Sequence, residues 1–488
     1  MSTASERNTQ ALKTMVGDTA LAARLKQTRL AVVTPTTAPT PALQLLSEYV
    51  VDTLCRLWEQ VDFHGSLAEP QHLAAQAITS GDPAGMQHAW HPGYDVVIAL
   101  GCPAPDMCAA HVIEIGYDGW VVAMGSDTQT GAEPNPASAA FAAALAASRA
   151  FQWVFRDALD GNTAPQTETV RADLRDLYGI TTKPTTLTLP STVVFGTGAV
   201  GHAFLSILER WPHPITGNVD LVDPDPYGDS NMQRYTFMLR ASVPEAKVTI
   251  RRDALAQRHP GLTVTPYPHD LNAYCRTRGY AERIALAVAG LDSPEARRHV
   301  ALKLPIRTVN MWTEGKRIGG ALYAPSDKRA CLGCDYLEPK SERMDETARV
   351  AQQTGLLPVV VRRLLDTAAG LTAAEAQVIA AHQQVRVESL VGEPLRSVLP
   401  TLCATGRLAL PGSSVPVDVP FAFASLFAGV SGFMFFLRAL EDRSVSEGWS
   451  QHLFKSPTPL MRQARGRQDA CVCCANLHLL LPRMSDVA

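Results

Sequence analysis

A strand-like run, Thr192-Val-Val-Phe195, enters Gly196-Thr-Gly198-Ala-Val-Gly201, and helical sequence follows. Glycines at this junction let the backbone turn tightly and approach phosphate. The helix start adds free N–H donors and positive dipole charge. On its own the loop fits a nicotinamide-type dinucleotide domain equally well. Asp223 lies 22 residues after Gly201, at the end of the next apolar run. An acid there accepts hydrogen bonds from ribose hydroxyls in either kind of site and does not discriminate. The residues that follow do. Asp223-Pro-Asp225 is succeeded by Ser230-Asn231-Met-Gln-Arg234, then Lys247, then Gly290-Leu-Asp292 with Arg297 five residues on. Arginine offers a planar fork to phosphate oxygens and lysine a compact charge. Asp292, at the end of a later strand, suits Mg²⁺ held against phosphates. A redox domain has no need of this set, whereas chemistry on a triphosphate does.

In this order the residues resemble the ThiF-type adenylating enzymes, the family that includes ubiquitin-activating enzymes and activators of sulfur-carrier proteins. Ala199 departs from the glycine found there in many members, and a small residue still allows close approach. The resemblance covers roughly 190–335 and 400–475. It implies ATP bound through Gly196, Gly198, Gly201, Asp223 and Asp225. Asn231, Arg234 and Lys247 would handle the phosphates and Asp292 would hold Mg²⁺, with Arg234, Lys247 and Asp292 catalytic. A C-terminal carboxylate would attack the α-phosphate, with positioning and charge stabilisation supplying most of the catalysis.

Cys331-Leu-Gly-Cys334 and Cys471-Val-Cys473-Cys474 supply two Cys-x-x-Cys pairs 137 residues apart. Cys331, Cys334, Cys471 and Cys474 suit a closed tetrahedral structural Zn²⁺ site, with a disulfide or a redox pair as alternatives. Cys473 could replace a neighbour as ligand. Cys403 stands before a long apolar segment, where ThiF-type enzymes often carry the cysteine that takes the activated carbonyl. Arg407 could help lower its pKa. A buried packing cysteine is the other reading. Cys55, Cys102, Cys108 and Cys275 read as structural.

The elements that must position these groups follow from periodicity. Strands are expected at 191–196, 218–223, 262–267, 283–290, 305–310 and 317–323, and helices at 199–210, 243–258 and 294–302. That alternation predicts an α/β fold with a doubly wound, Rossmann-like, mainly parallel sheet. Residues 1–180 read as a first unit: helical patterns at Thr9–Thr28 and Pro41–Val61, a buried strand ending at Gly101, and a strand pair turning at Tyr117-Asp-Gly119. A helix opens at Asn135-Pro136 and runs to about Asp160. Gly101-Cys-Pro-Ala-Pro is no phosphate loop, because prolines lack the N–H donors it needs. The unit is expected to be an inactive, degenerate α/β adenylation-like domain. Its Asn135 helix is similar to segments of bacterial activating enzymes encoded with ubiquitin-like, antiviral defence pathways. Residues 161–190 read as a linker. Residues 190–335 plus 400–488 form the active domain, and 338–400 a helical insertion near Cys403.

The 488 residues carry a net charge of −3. No basic excess points to nucleic acid or an anionic membrane. The segment Val419–Leu437 is uncharged and nearly long enough to span a bilayer, but it is isolated and rich in Ala, Gly and Ser. It reads as a buried helix. The start of the chain lacks the apolar core of a secretory signal, and the cysteine usage fits a reducing, cytoplasmic setting. The leading expectation is activation of a ubiquitin-like protein, with a thioester on Cys403 passed to a conjugating enzyme. The alternatives are a sulfur-carrier adenylyltransferase of the thiamine or molybdopterin type and an inactive scaffold. Homodimerisation is left open.

Overall fold

The structure, a computed structural model, describes residues 4–79, 93–105, 109–126, 128–159, 169–279, 284–326, 328–337, 347, 350–351, 354–367, 369–383, 386–395, 398, 420–441, 445–459 and 462–475. The chain forms two compact units: Met1–Leu337 with Val419–Ala488, and Glu338–Asp418.

The first unit opens with α1 (Ala4–Val16), α2 (Ala23–Gln27), β1 (Arg29–Val33), α3 (Pro41–Cys55), β2 (Gln60–His64) and α4 (Ala68–Thr79). β3 (Val96–Leu100), β4 (Val112–Asp118), β5 (Val121–Met124), α5 (Pro136–Val154), β6 (Val170–Asp173) and α6 (Leu174–Tyr178) follow. The strands form one sheet in the order β2-β1-β3-β4-β5-β6, parallel through β4 and antiparallel beyond it. Three expectations are corrected here. The Thr9–Thr28 helical pattern is two short helices around a turn, and β1 and β2 flank α3. Residues 170–178, expected as linker, form β6 and α6, because Val170 and Ala172 pair onto β5 and bury against it. The helix from Asn135 ends at Val154. Asn135 caps it as expected, its Oδ1 accepting from the N–H groups of Ala137 and Ser138.

A second sheet is built from β7 (Leu187–Phe195), α7 (Ala199–Glu209), β8 (Ile215–Val222), α8 (Lys247–Arg258), β9 (Leu262–Tyr267), α9 (Leu271–Arg278), β10 (Leu286–Ala289), α10 (Pro294–Leu302), β11 (Arg307–Glu314), β12 (Arg317–Tyr323) and α11 (Leu332–Asp335). α9 was not expected from the sequence. α8 begins at Lys247 rather than 243, since Ala246 first pairs with Pro226.

The unit Glu338–Asp418 holds α12 (Pro358–Thr367) and α13 (Ala373–Gln383), packed around Val361, Leu364, Ile379 and Leu395. The first unit resumes with α14 (Ala422–Glu441), β13 (Glu447–His452), β14 (Arg462–Ala464) and α15 (Val472–Ala475). Strand order is β14-β13-β12-β11-β10-β7-β8-β9, parallel from β11 to β9 with an antiparallel β12–β14 edge.

α14 is long and apolar enough to cross a membrane by length and composition, but 89% of its most apolar window is buried in the protein. It packs with α5, α7, β11 and β12, and Phe427 meets Phe141 edge-on at 5.1 Å while Phe436 meets Phe204 at 5.4 Å. α5 is buried at nearly every position, because β4, β5, α3 and α14 surround it. A helix enclosed on all sides needs no polar face, which is why α14 reads as apolar throughout and α5 is rich in alanine. Apolar residues of both sheets join in one core.

Register sets the site. Phe195 of β7 lies beside Val222 of β8 and Ala289 of β10, so all three strands end at one edge. Gly196, Asp223 and Gly290 therefore leave the sheet side by side. β7 also sends its connection toward β8, away from β10, so the order reverses here. Open α/β sheets bind ligands at such a point.

Candidate functional site

Gly196 adopts φ +84°, and a Cβ there would come within 2.8 Å of the Gly290 carbonyl oxygen. A Cβ on Gly201 would press into the Gly196 carbonyl. These two glycines let the loop fold between β7 and β10. Gly198 starts α7 without a side-chain cap, and the nearest group to a Cβ there is the Tyr235 hydroxyl at 3.8 Å. The backbone at the start of α7 is thus uncrowded and uncapped, and its first-turn N–H groups lack helical acceptors, the arrangement that receives anions.

Asp223 is buried and its carboxylate organises the loop. Oδ2 accepts from the Thr197 N–H at 2.7 Å and Oδ1 from the Asp225 N–H at 3.0 Å. Lone pairs remain on both oxygens for further donors. Lys247 reaches the same place by a backbone pairing: Tyr227 N–H donates to the Glu245 carbonyl at 2.8 Å and Pro226 pairs with Ala246. Its ammonium lies 3.7 Å from Asp223 Oδ1 and 3.1 Å from Asp225 Oδ2, with the lysine side chain 4% exposed and that of Asp225 68% exposed. Burial works against the charged form. Tyr235, Asp223 and Asp225 outweigh it, and the net shift of Lys247 is upward.

Arg234 and Lys247 flank one ring. The guanidinium carbon and the ammonium nitrogen each sit 5.5 Å from the Tyr235 centroid. Arg234 donates to the Ser230 carbonyl at 3.1 Å. Burial lowers its pKa, Tyr235 and Asp292 oppose that, and the nearby Arg7 of α1 adds to it. Asn231 holds the turn, its Oδ1 accepting from Gly228 N–H at 2.9 Å. Asp292 is exposed beyond the end of β10. Arg297 is buried instead, bonded to the carbonyls of Leu291 and Met311 with its guanidinium 5.2 Å from the Tyr336 centroid, and it anchors the Asp292 turn. The structure therefore gathers Gly196, Gly198, Gly201, Asp223, Asp225, Asn231, Arg234, Lys247 and Asp292 around one edge of the second sheet. Two cations and the uncapped turn of α7 face a region that carboxylates border. Such a place can hold a polyphosphate, with Asp292 exposed for a divalent cation.

Three neighbours escaped the sequence reading. Tyr235 contacts both cations, Arg7 adds charge, and His202 bonds to the loop carbonyl of Thr197. His202 is fully buried, with Nδ1 2.7 Å from the Thr197 carbonyl and Nε2 bonded to the Tyr227 hydroxyl. Its position four residues after Gly198, on the buried face of α7, was the available signal. Desolvation, with Arg251 and Lys247 nearby, pushes its pKa well below 6.5, so the ring is neutral and Nδ1 donates. The unfolded chain takes up a proton near pH 6.5 that the folded chain refuses. Stability should then fall on acidification below about pH 6.5, by up to about 1.4 kcal/mol per pH unit for each such histidine. His111 and His259 shift in the same direction. Denaturant titrations at pH 7.5 and 5.5 should show the loss, and His202→Gln should reduce it. A pH-independent midpoint would overturn this assignment.

The Sγ atoms of Cys331, Cys334, Cys471 and Cys474 all lie within 4.8 Å of one another, and all four residues are buried. Separations are 3.9 Å for 331–334, 3.6 Å for 331–471, 3.4 Å for 334–474 and 3.5 Å for 331–474. A tetrahedron of thiolates about 2.3 Å from Zn²⁺ has edges of about 3.8 Å, so the donor set fits. Cys473 is buried beside them but is not one of the four. Cys55 and Cys275 are buried in apolar surroundings, and Cys102 is half-buried. Cys403, Arg407 and Cys108 lie outside the described residues.

Comparison with known proteins gives three results. The ThiF family matches residues 185–402. An uncharacterised protein of Sinorhizobium fredii (strain NBRC 101917 / NGR234), y4jF, is 28% identical over 351 residues, covering 69% of this chain and 66% of its own length. The NEDD8-activating enzyme E1 catalytic subunit of Dictyostelium discoideum is 30% identical over 110 residues, covering 22% of this chain and 23% of its own. The match thus spans less than two thirds of either relative. Among solved structures, E. coli MccB with ATP is 13% identical, covers 67% of this chain and 75% of its own, and has a TM-score of 0.36. E. coli MccB with MccA-N7isoASN is 12% identical, covers 62% and 69%, and has a TM-score of 0.34.

Proposed function

We propose that this chain, which carries a ThiF-family domain over residues 185–402, is an ATP-dependent adenylating enzyme that activates the C-terminal glycine of a ubiquitin-like protein. The observation that carries the reading is the pair of cations, Arg234 and Lys247, each 5.5 Å from the Tyr235 ring near the uncapped start of α7, with Asp223 and Asp225 fixing the lysine. ATP would place its phosphates at that turn and its ribose near Asp223. A Mg²⁺ held by Asp292 would supply charge neutralisation on the phosphates. The partner's carboxylate attacks the α-phosphorus, the bond to the bridging oxygen breaks, and pyrophosphate leaves carrying the electron pair. Lys247 and Arg234 stabilise the charge that develops.

The acyl-adenylate is then open to a thiolate. Cys403 is the proposed nucleophile: its sulfur bonds to the carbonyl carbon, AMP leaves, and the thioester passes to a conjugating enzyme. The amino-terminal sheet is proposed to be an adenylation-like half without a nucleotide site of its own. The likeness to an E1 catalytic subunit supports the choice of a ubiquitin-like partner. Cytoplasmic location and a role in antiviral defence belong to the same proposal.

The test is ATP–pyrophosphate exchange against a panel of ubiquitin-like proteins ending in glycine, followed by non-reducing gels. Partner-dependent exchange and an adduct removed by thiol reductants are expected, with the adduct lost in Cys403→Ala. An adduct that survives that substitution overturns the Cys403 role. A thiocarboxylate product would instead identify a sulfur-carrier activator, and failure of every partner to stimulate exchange would indicate a scaffold.

A further inference from the structure

The segment that carries Arg234 is gripped by a helix of the amino-terminal half. Asp52 on α3 and Arg56 at its end form a bidentate pair, with Nη2 2.6 Å from Oδ1 and Nε 3.1 Å from Oδ2. Their side chains are 3% and 0% exposed respectively. A buried ion pair contributes little to net stability by itself, so the rest of its bonding is informative. Arg56 Nη1 donates to the Met232 carbonyl at 2.7 Å and Nη2 to the Met238 carbonyl at 2.9 Å. Asp52 Oδ1 accepts from the Phe237 N–H at 3.0 Å. Every one of these bonds ends on the stretch from 232 to 238, with Arg234 and Tyr235 inside it.

The stretch needs holding. Phe237 adopts φ +56°, a conformation bulky residues rarely take without support. Its ring meets Tyr49 of α3 edge-on at 4.9 Å and lies 3.5 Å beneath the Arg210 guanidinium. On the other side Met232, Tyr235 and Met238 pack with Ala199 at the start of α7. α3 thus presents Tyr49, Asp52 and Arg56 along one face to the backbone of the phosphate-handling segment.

We infer that Asp52 and Arg56 are positioning residues for the nucleotide reaction: the amino-terminal half fixes the Met232–Met238 backbone so that Arg234 and Tyr235 are placed before ATP arrives. This rests on the adenylation reading of the site. The half then takes part in the chemistry without a phosphate loop of its own. The bland alternative, that the pair merely holds α3 in the core, differs in what an apolar replacement does.

The test uses the full chain, a fluorescent N-methylanthraniloyl ATP and Mg²⁺. Asp52→Ala with Arg56→Met removes both charges together without adding volume, and frees the Met232 and Met238 carbonyls and the Phe237 N–H from their side-chain partners. Phe237→Ala keeps the ion pair and removes only the ring. Each variant is expected to weaken nucleotide binding about tenfold or more, with a melting temperature within a few degrees of the parent. In an Arg234→Ala background the double substitution should add little, because it acts through Arg234. Parent-like binding in both variants, or a full multiplicative loss beside Arg234→Ala, overturns the positioning role. Failure of the unaltered chain to bind the probe overturns the adenylation reading and this inference with it.

Discussion

Lys247→Ala is expected to lower partner-dependent ATP–pyrophosphate exchange by roughly 10²–10³-fold, the usual cost of removing one preorganised charge-stabilising donor. The ammonium is held between Asp223 and Asp225 and against Tyr235 before any ligand binds. Its charge is already desolvated and oriented, so little reorganisation is needed as pyrophosphate leaves. Removal acts twice: it deletes a cation and leaves two carboxylates facing incoming phosphates. The upward shift of Lys247 also fixes its pH behaviour. The group stays protonated beyond the ordinary lysine range, so an alkaline limb near pH 8 in the exchange rate does not come from it. The fold should tolerate the change, since Asp223 keeps its two backbone donors and Asp225 reaches solvent. Lys247→Arg keeps the charge but not the compact shape, and partial recovery is expected. Exchange within a few-fold of the parent in Lys247→Ala, with the parent active, would sink this role.

What the sequence disclosed and what it hid divide along physical lines. Gly196, Asp223, Asn231 and Asp292 stand at strand ends and turns, where local chemistry marks them within a short window. α5 announced itself by its Asn135-Pro136 start, and α14 by lacking a polar face. β1, β2 and β6 were missed or absorbed into helix and linker. They are four or five residues long: β1 is buried at almost every position, and β2 and β6 are edge strands whose alternation is too brief to stand out from helix or linker. The bond from Arg56 to the Met232 carbonyl joins residues 176 apart, and periodicity cannot report such a contact. The role of His202, unlike its buried helical position, was hidden for a related reason. Its partners, the Thr197 carbonyl and the Tyr227 hydroxyl, meet only once α7 packs beneath the loop. Residue types therefore pointed to the reaction, while long-range packing supplies the precision with which the cations are held.

The second large effect is expected from the cysteine cluster. Cys331→Ser is predicted to lower the metal content of the purified chain from about one zinc towards zero and to release the segment around residues 462–475 from the second sheet. The cluster joins the segment after β12 to the tail, where the remaining hold is a short run of edge pairing. β14 is a three-residue edge strand and α15 a single turn. Beyond the thiols, the tail is held by the three-residue pairing of β14 on β13, by a bridge between Arg329 and Gly466, and by Arg465, whose guanidinium meets Asp335 at 3.1 Å and whose carbonyl accepts from the Ala330 N–H at 3.1 Å. A partly buried pair of this kind contributes on the order of 1 kcal/mol, whereas structural zinc binding in small peptides reaches about 10–16 kcal/mol. Without a metal, four buried thiols face one another unsatisfied, and only the short β14 pairing and its neighbouring bonds remain to hold the tail. Hydrogen exchange should show rapid labelling of 462–475 after chelation, while β7, β8 and β10 stay protected. The nucleotide edge, built on those three strands, should still bind ATP until the sheet edge unzips on heating. The melting temperature should therefore fall by several degrees before binding is lost at 25 °C. Elemental analysis finding no metal, together with mass spectrometry finding Cys331–Cys334 and Cys471–Cys474 disulfides in the native chain, overturns the zinc assignment and favours the redox alternative.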